Sequence, residues 1–563
     1  MANGPFIDRF DFYPGDAKIL EIEGIKVIDL SGPEPIAGAG TGVVGIVGEA
    51  LKTGDYGETL LEDGTYTLLT DNRNKPTEVT NDQDFLDLVG AWSQWNNPGG
   101  PVSAGGVPEP GIDPGNYDGN LFLSMARRKF PRLVVCPIDQ HCGTCTIVVT
   151  GVAGVVGIAG RIPAGVRVAI VGPNPTDIFA TAVDILIKES DYTGDPPVAT
   201  ITGVPIRRVK GIDAAPIASQ VLSPEDTTAF PGYTLSLTLF SAVADVNVYT
   251  NYTTAIDAFL DQESPSGDVD LLCLSRHPDA ALGETLMKYA KTHAVNFAAS
   301  GKGRIYIGSP PNATPIDEAA SSGAADIGVG NVGRSDRMIY AYPGIKGYIP
   351  QLPNSYVERD NDGIITWPFD TCVASICAAL PPEENPGQLT NVLDWLSGLE
   401  RVPPTAAGNP RALMKSDYTS FRSIWGIAAP KRFGASFVIQ SGVNSMDPAV
   451  YPVKRNIKRR RFADFWQESV TTAVGPLLKK LGRDTLKDAI LSMIVEFNEG
   501  LLSPDQPELQ RIHSYSVDGD KYNTEAKLEQ GIWIVECKVK LLPSLDAIVF
   551  ITEIGETVQI TAS

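Results

Sequence analysis

Chemistry needs side chains that can hold a metal, move a proton or attack a carbon, and this chain gathers few of them. Cys136, His141, Cys142 and Cys145 put four soft ligands within ten residues. The gap between Cys142 and Cys145 suits zinc, but no second pair lies at the spacing a closed tetrahedral site requires. A metal site and a pair of loop thiols beside a core Cys136 therefore stand as alternatives. GVGNVG, residues 328–333, matches the glycine pattern of a dinucleotide fingerprint. That fingerprint needs a strand before it and a helix opening through it, so that the helix amino terminus meets the pyrophosphate. Here a Ser/Gly/Ala loop precedes it and RSDRMIYAY runs on into a strand, so no cofactor is expected. SGKGR, residues 300–304, lacks the first glycine and the hydroxyl of a phosphate-binding loop and reads as a turn. The four histidines lie in different regions, and no carboxylate pair stands out. No catalytic triad follows, and no enzymatic activity is expected.

One charged cluster remains. Lys454, Arg455, Lys458, Arg459, Arg460 and Arg461 put six cations in eight residues of a chain whose net charge is −21. Such a run is either a solvated face or a contact for a charged partner. The element that must position it follows directly. Phe462, Phe465, Trp466, Ser469, Val470, Ala473, Val474, Leu477, Leu478 and Leu481 recur at three- and four-residue steps, which predicts a helix that Pro476 kinks near its end. Asp484 reads as the N-cap of a second helix, with Leu486, Ile490, Met493, Ile494 and Phe497 inward and Gly500 as its stop.

Composition bounds the rest. A chain of 563 residues and 60.1 kDa exceeds one ordinary core, and 43% hydrophobic residues suffice for several. With 55 glycines and 43 prolines, many turns and long loops are expected rather than a helical bundle. The acidic balance argues against a surface that coats nucleic acid. The opening MANGPFIDRFDFYPGDAK lacks the pattern of a secretory signal. The longest apolar run, from Thr146, is broken by Gly151, Gly154 and Gly157, so neither export nor membrane insertion is expected. Cys273, Cys372, Cys377 and Cys537 sit in strand-like apolar contexts and read as reduced core thiols.

Taken in order, KILEIEGIKVIDL from Lys18 alternates and predicts one extended strand ahead of the first domain. Such a strand pairs within its own fold or adds to another chain's sheet edge. SGPEPIAGAG makes a joint, and 41–50 is a buried strand. Asn81 or Asp82 caps a short helix, DFLDLVGAW, and a helix at 121–130 leads into a strand at 132–137, which opens an α/β layer. Between 136 and 249, β-branched runs separated by Gly/Pro turns predict a β-rich insertion. The α/β texture resumes with helices at 253–262 and 281–290 and strands at 269–275, 304–308 and 337–342. CVASICAAL and LTNVLDWLSGL read as helices. Strands at 510–517, in IWIVECKVKLL and in DAIVFITEI complete an α+β region, and ETVQITAS past Gly555 is a terminal strand.

These landmarks together resemble the contractile-tail sheath proteins of bacteriophages and related contractile injection systems. GVVGIVGEA, DFLDLVG and LFLSMARRKFPRLVVCP follow that family's opening order. DVDLLCLSRHPD, RIYIGSPP and SDRMIYAYPGI are similar to its central strands. ASFVIQSGVNSMDPAVYPVKRNIKRRRFADFWQES resembles the entry to its carboxyl-terminal domain, while 344–402 departs from the pattern. The resemblance implies a central α/β domain, 41–135 with 250–435, carrying a β-rich outer insertion, 136–249. It further implies an α+β inner domain, 436–554, and extended arms at 1–40 and 555–563. Ile19, Leu20, Ile22, Ile25, Val27, Ile28, Val558 and Ile560 would then belong to arms that complete a neighbour's sheet. The six cations of the basic run would face an inner tube. The implied role is a non-enzymatic subunit of stacked hexameric rings around that tube. Baseplate and tail-terminator proteins would be its other partners, without nucleic acid, membrane or cofactor. It would be assembled in a host cytoplasm and carried on the virion tail. A nucleotide-binding α/β enzyme, or another tail or baseplate component, is the alternative.

Overall fold

A computed structural model describes residues 42–50, 66–81, 132–139, 245–347 and 365–543 with short gaps; elsewhere it gives isolated strands by backbone alone. By internal contacts the chain divides into two compact units, 39–468 and the pair 1–38 with 469–563.

The larger unit is organised by a seven-stranded sheet. Its order is Ile427–Ala428, Met338–Ala341, Ile305–Gly308, Leu271–Leu274, Val43–Ala50, Arg132–Asp139 and Thr77–Val79. All neighbours are parallel except the Thr77–Val79 edge. Strands covered on both faces read as continuous apolar runs, and these do. Alternate residues divide between two cores because successive side chains point to opposite faces. Val44, Ile46, Leu133, Val135, Leu271, Cys273 and Ile307 pack with Cys372, Val373 and Cys377 of the helix Asp370–Ala379. Val43, Val47, Val134, Leu272, Tyr306 and Tyr340 face the helices Asp245–Asp257 and Ala280–Ala298 through Tyr252, Ile256, Met287 and Ala294. The first helix is shifted from the expected 253–262, starting at Asp245 and giving way at Asp257 to the 3-10 turn Ala258–Leu260; the second outruns the expected 281–290, Ala294 and Phe297 continuing its buried stripe. Asn81 Oδ1 accepts the Asp84 N–H at 2.9 Å, as an N-cap does.

A second sheet in the same unit is antiparallel. Its order is Arg167–Ile170, Val183–Thr193, Val198–Pro205, Thr144–Thr150, Thr234–Ser241.

The other unit contains the helix Asp484–Leu502 and the hairpin Ile512–Asp518 with Glu536–Leu541. The helix Ile457–Val474 is followed by one 3-10 turn containing Pro476.

Three expectations are corrected. LTNVLDWLSGL is not helical: Leu396–Leu399 is a strand against Ile345–Gly347, and Leu389 and Val392 are exposed while Leu393 and Leu396 are buried, so its apolar residues do not share one buried face. Gly500 does not stop its helix, which continues until Leu501 is buried and Ser503 takes a positive φ of 43°. KILEIEGIKVIDL is not one strand. Leu20–Ile22 and Ile25–Val27 pair antiparallel, Leu20 opposite Val27. Ile19, Ile28, Val558, Ile560, the 121–130 helix and the DAIVFITEI strand lie outside the described residues.

Candidate functional site

The helix Ile457–Val474 carries the basic run in its first turns. Asn456 Oδ1 accepts the Lys458 N–H at 3.1 Å at its start. Helical spacing then sends Ile457, Lys458, Arg461, Phe462, Asp464 and Phe465 inward, and all six are buried. The run is therefore not one cationic face. Lys458 and Arg461 are 8% and 6% exposed, Arg455 and Arg460 are half-buried, and only Lys454 and Arg459 are exposed.

The buried members form an ionic seat. Arg337 meets Asp464 through two parallel bonds, Nη2 to Oδ1 at 2.9 Å and Nη1 to Oδ2 at 3.0 Å. Arg460 Nη2 donates to the same Oδ1 at 2.6 Å, and its Nη1 lies 3.5 Å from Asp336 Oδ2. A Cβ on Gly303 would fall 2.2 Å from the Asp464 Cβ, so glycine is what lets the carboxylate approach. Arg461 donates to the carbonyls of Leu380 at 2.8 Å and Pro381 at 3.4 Å. These lie just past the end of the helix Asp370–Ala379, where carbonyls lack intrahelical partners.

Below this seat is a small cavity lined by Gly42, Asp270, Gly303, Arg461, Asp464 and Glu468, at the leading ends of three parallel strands. Asp270 Oδ2 accepts the N–H groups of Gly42 and Val43 at 2.7 and 3.2 Å. Burial, and then the charge of Glu468, push its carboxyl up to about 7 against those bonds. Burial also raises Glu468. Nearby, Arg304 is wholly buried. It donates to the carbonyls of Val269, Phe259 and Ser266 and to His293 Nε2, and lies 3.6 Å from the Phe297 ring centre. Burial, with the Arg304 charge, pushes His293 down to about 3, so its ring is neutral and accepts.

The remaining candidates do not converge on a reacting atom. Cys136 is a buried thiol beside the Ala255 carbonyl, pushed up by burial; His141 and Cys142 lie outside the described residues, and Cys145 is given by backbone alone. Among the described residues no group of His, Cys, Asp and Glu could hold a metal, and no helix is long and apolar enough to cross a membrane. GVGNVG contains one helical turn, Val329–Val332, with both valines buried. A Cβ on Gly328 would meet the Glu318 carbonyl at 2.4 Å, so this glycine serves close backbone packing.

Sequence reasoning missed Arg304, Arg337, Asp270 and the seat they build. The available signal was a lone charge at the head of an otherwise apolar strand: Asp270 before LLCL, Arg304 before IYIG, Arg337 before MIYA.

No family model matches the chain, and no curated protein matches it. Solved structures do. The anti-feeding prophage helical sheath in its contracted state is 12% identical, over 96% of this chain and all of that one, with a TM-score of 0.49. The sheath tail protein from Desulfitobacterium hafniense is 12% identical over 90% of this chain and 97% of its own, with a TM-score of 0.43. A chain of the anti-feeding prophage baseplate is 16% identical over 57% of this chain and 76% of its own, with a TM-score of 0.40.

Proposed function

We propose that this chain is a non-enzymatic structural subunit of a contractile sheath, polymerising around an inner tube and shortening to drive that tube through a cell envelope. One observation carries the reading. The segments similar to the sheath family are scattered along the sequence, yet GVVGIVGEA, RLVVCP, DLLCL, RIYIG and RMIYAY are neighbours in one sheet. The segment resembling the family's carboxyl-terminal entry supplies the helix whose Asp464 is bound by Arg337, at the leading end of that sheet's strand Met338–Ala341. The nucleotide-enzyme alternative is disfavoured by the packing role of Gly328.

The finer picture is part of the same proposal. Subunits stack as hexameric rings, and the domains divide as 41–135 with 250–435, the outer insertion 136–249, and the inner region 436–554. The arms 1–40 and 555–563 complete neighbouring sheets through Ile19, Leu20, Ile22, Ile25, Val27, Ile28, Val558 and Ile560. Of the basic run, exposed Arg459 and half-buried Arg455 are assigned to the tube, because Lys458, Arg460 and Arg461 are engaged within the chain and exposed Lys454 stands over the Tyr451 ring. Exposed cations suit a contact that must let go, since salt and water weaken it. Baseplate and terminator proteins are the further partners, and the virion tail is the location.

Negative-stain microscopy of the purified full-length protein tests the reading. Hollow tubes of uniform diameter are expected; a protein that stays monomeric across concentration and salt overturns it. Deleting residues 1–31 or 556–563 is expected to leave a folded monomer that forms no tubes, and normal tubes from both truncations would remove the arms from the mechanism.

A further inference from the structure

The loop leading into the helix Ile457–Val474 carries a surface that the ionic seat does not use. Val450 and Tyr451 are 61% and 46% exposed. The backbone beneath them is nevertheless fixed. Asp447 Oδ1 accepts the N–H groups of Ala449 and Val450 at 2.9 and 3.4 Å. The Asp447 carbonyl accepts the Tyr451 N–H at 2.8 Å, and the Tyr451 carbonyl accepts the Lys454 N–H at 3.0 Å. Asn444 then ties the far end down, its Nδ2 donating to the Lys454 carbonyl at 2.8 Å and to the Asp336 carbonyl at 3.3 Å.

A second segment braces the first. Arg334 lies 3.8 Å from Asp447 Oδ2, donates to the Ile424 carbonyl at 3.2 Å and covers the Trp425 ring at 5.6 Å. Ile424 is itself 52% exposed. Gly426, with φ of 67°, backs directly onto the loop: a Cβ there would meet the Asn444 carbonyl at 2.5 Å. So a loop held by main-chain and buried side-chain bonds displays its largest apolar groups to water. Exposed apolar area is unfavourable in the monomer, whereas an already ordered loop loses little entropy on docking. Tyrosine is among the residues enriched at the anchoring centre of interfaces.

Charge selects the occupant. Lys454 is exposed and its Nζ stands 5.2 Å over the Tyr451 ring, so the apolar tip carries a cation at its rim. The chain's own net charge is −21, which makes its general surface the acidic counterpart. We infer that Val450, Tyr451 and Lys454 dock onto the acidic surface of a second copy of this chain, Val450 and Tyr451 supplying the dry centre and Lys454 the ionic rim. The inference rests on the reading of the protein as a self-assembling subunit, and it names one contact of that assembly.

The test uses the full-length protein in a pelleting assay for the critical concentration of polymerisation. The double variant Val450→Ser, Tyr451→Ser is expected to keep the wild-type circular dichroism and melting midpoint, because both side chains are exposed, while raising the critical concentration about tenfold or more. Lys454→Glu is expected to raise it less, and to blunt its dependence on salt. A photoreactive phenylalanine analogue at position 451 gives an independent readout that does not need the double variant to fold, with cross-links expected to peptides of the same chain. A double variant that polymerises at the wild-type concentration overturns the contact while leaving the sheath reading standing. Cross-links made only to a different protein overturn it too. A wild-type protein that forms no polymer overturns the sheath reading, and the contact falls with it.

Discussion

The seven-stranded sheet and the hairpin Ile512–Asp518 with Glu536–Leu541 solve the same problem differently. In the sheet both faces are covered: Val44, Ile46, Leu272, Cys273 and Ile307 have no exposed surface at all. In the hairpin one face is half-covered and the other is wet. Tyr515 opposite Val539 and Val517 opposite Cys537 are half-buried, whereas Ser516 opposite Lys538 and Ser514 opposite Lys540 put polar groups in water. Among the described residues the hairpin has two strands. Two-stranded sheets are marginal without packing, and here the helix Asp484–Leu502, whose Ile490, Met493, Ile494 and Leu501 are buried, lies against the strand Ile512–Asp518. The difference teaches where charge can matter. Inside the sheet unit a group that loses its partner is left where water cannot reach it, while on the hairpin water replaces much of what is removed.

The sharpest way to break that contrast is Arg304→Met. The substitution keeps the apolar stem but leaves the carbonyls of Val269, Phe259 and Ser266 without their donor. Each buried acceptor left without its donor costs about 1–3 kcal/mol, so urea unfolding of the sheet unit should show a loss of about 3 kcal/mol or more. A loss below about 1 kcal/mol would place Arg304 with the surface charges and erase the distinction.

A second effect, somewhat smaller, runs through pH. The Asp270 carboxyl titrates at about 7 in the folded protein against 3.8 ordinarily, because burial and then Glu468 oppose its charge. The folded state thus holds a proton that the unfolded state has released, and stability falls as pH rises from about 4 to about 7. The groups around it are Glu468, Asp464, Arg461 and, by charge, Arg304. Asp270→Asn should remove roughly 2–3 kcal/mol of that pH-dependent change when wild type and variant are compared at pH 5 and pH 7.5. Identical slopes would mean that the carboxylate is solvated like one on the hairpin.

How legible all this was in the sequence follows from the same contrast. The parallel strands were legible because burial on both faces writes an unbroken apolar run, as in LLCL and RIYIG. The long helix was legible from the spacing of Phe462, Phe465 and Ser469. The seat was not, because Arg337 and Asp464 lie far apart in the chain and no local period links them. The basic run misled for a related reason. Six adjacent cations look like one surface, but a helix turns about 100° per residue and sent Lys458 and Arg461 inward. LTNVLDWLSGL misled because leucines spaced for a helix face were left partly exposed around a short strand.

The smallest effect is expected on the hairpin, at Glu536. Its carboxylate collects Lys521 Nζ at 2.9 Å, Lys538 Nζ at 3.0 Å and the Tyr522 hydroxyl at 3.1 Å. The Lys521 bond, followed by that of Lys538, holds it down at about 2. Its sign is therefore opposite to that of Asp270: a depressed carboxyl adds stability above its ordinary range and loses it as pH falls toward 2. By bond count Glu536 rivals Asp464, yet its cations stand in water, where solvent and salt supply nearly equal partners. Glu536→Gln should accordingly leave the melting midpoint at pH 7 and 0.15 M salt indistinguishable from wild type, as roughly expected where the screening length is about 8 Å. It should reveal itself only as a lost pH dependence below about 4.5 at low salt. A marked destabilisation at neutral pH would show that the hairpin's charged network is as dry as the sheet's. The two regions would then differ in size and not in kind.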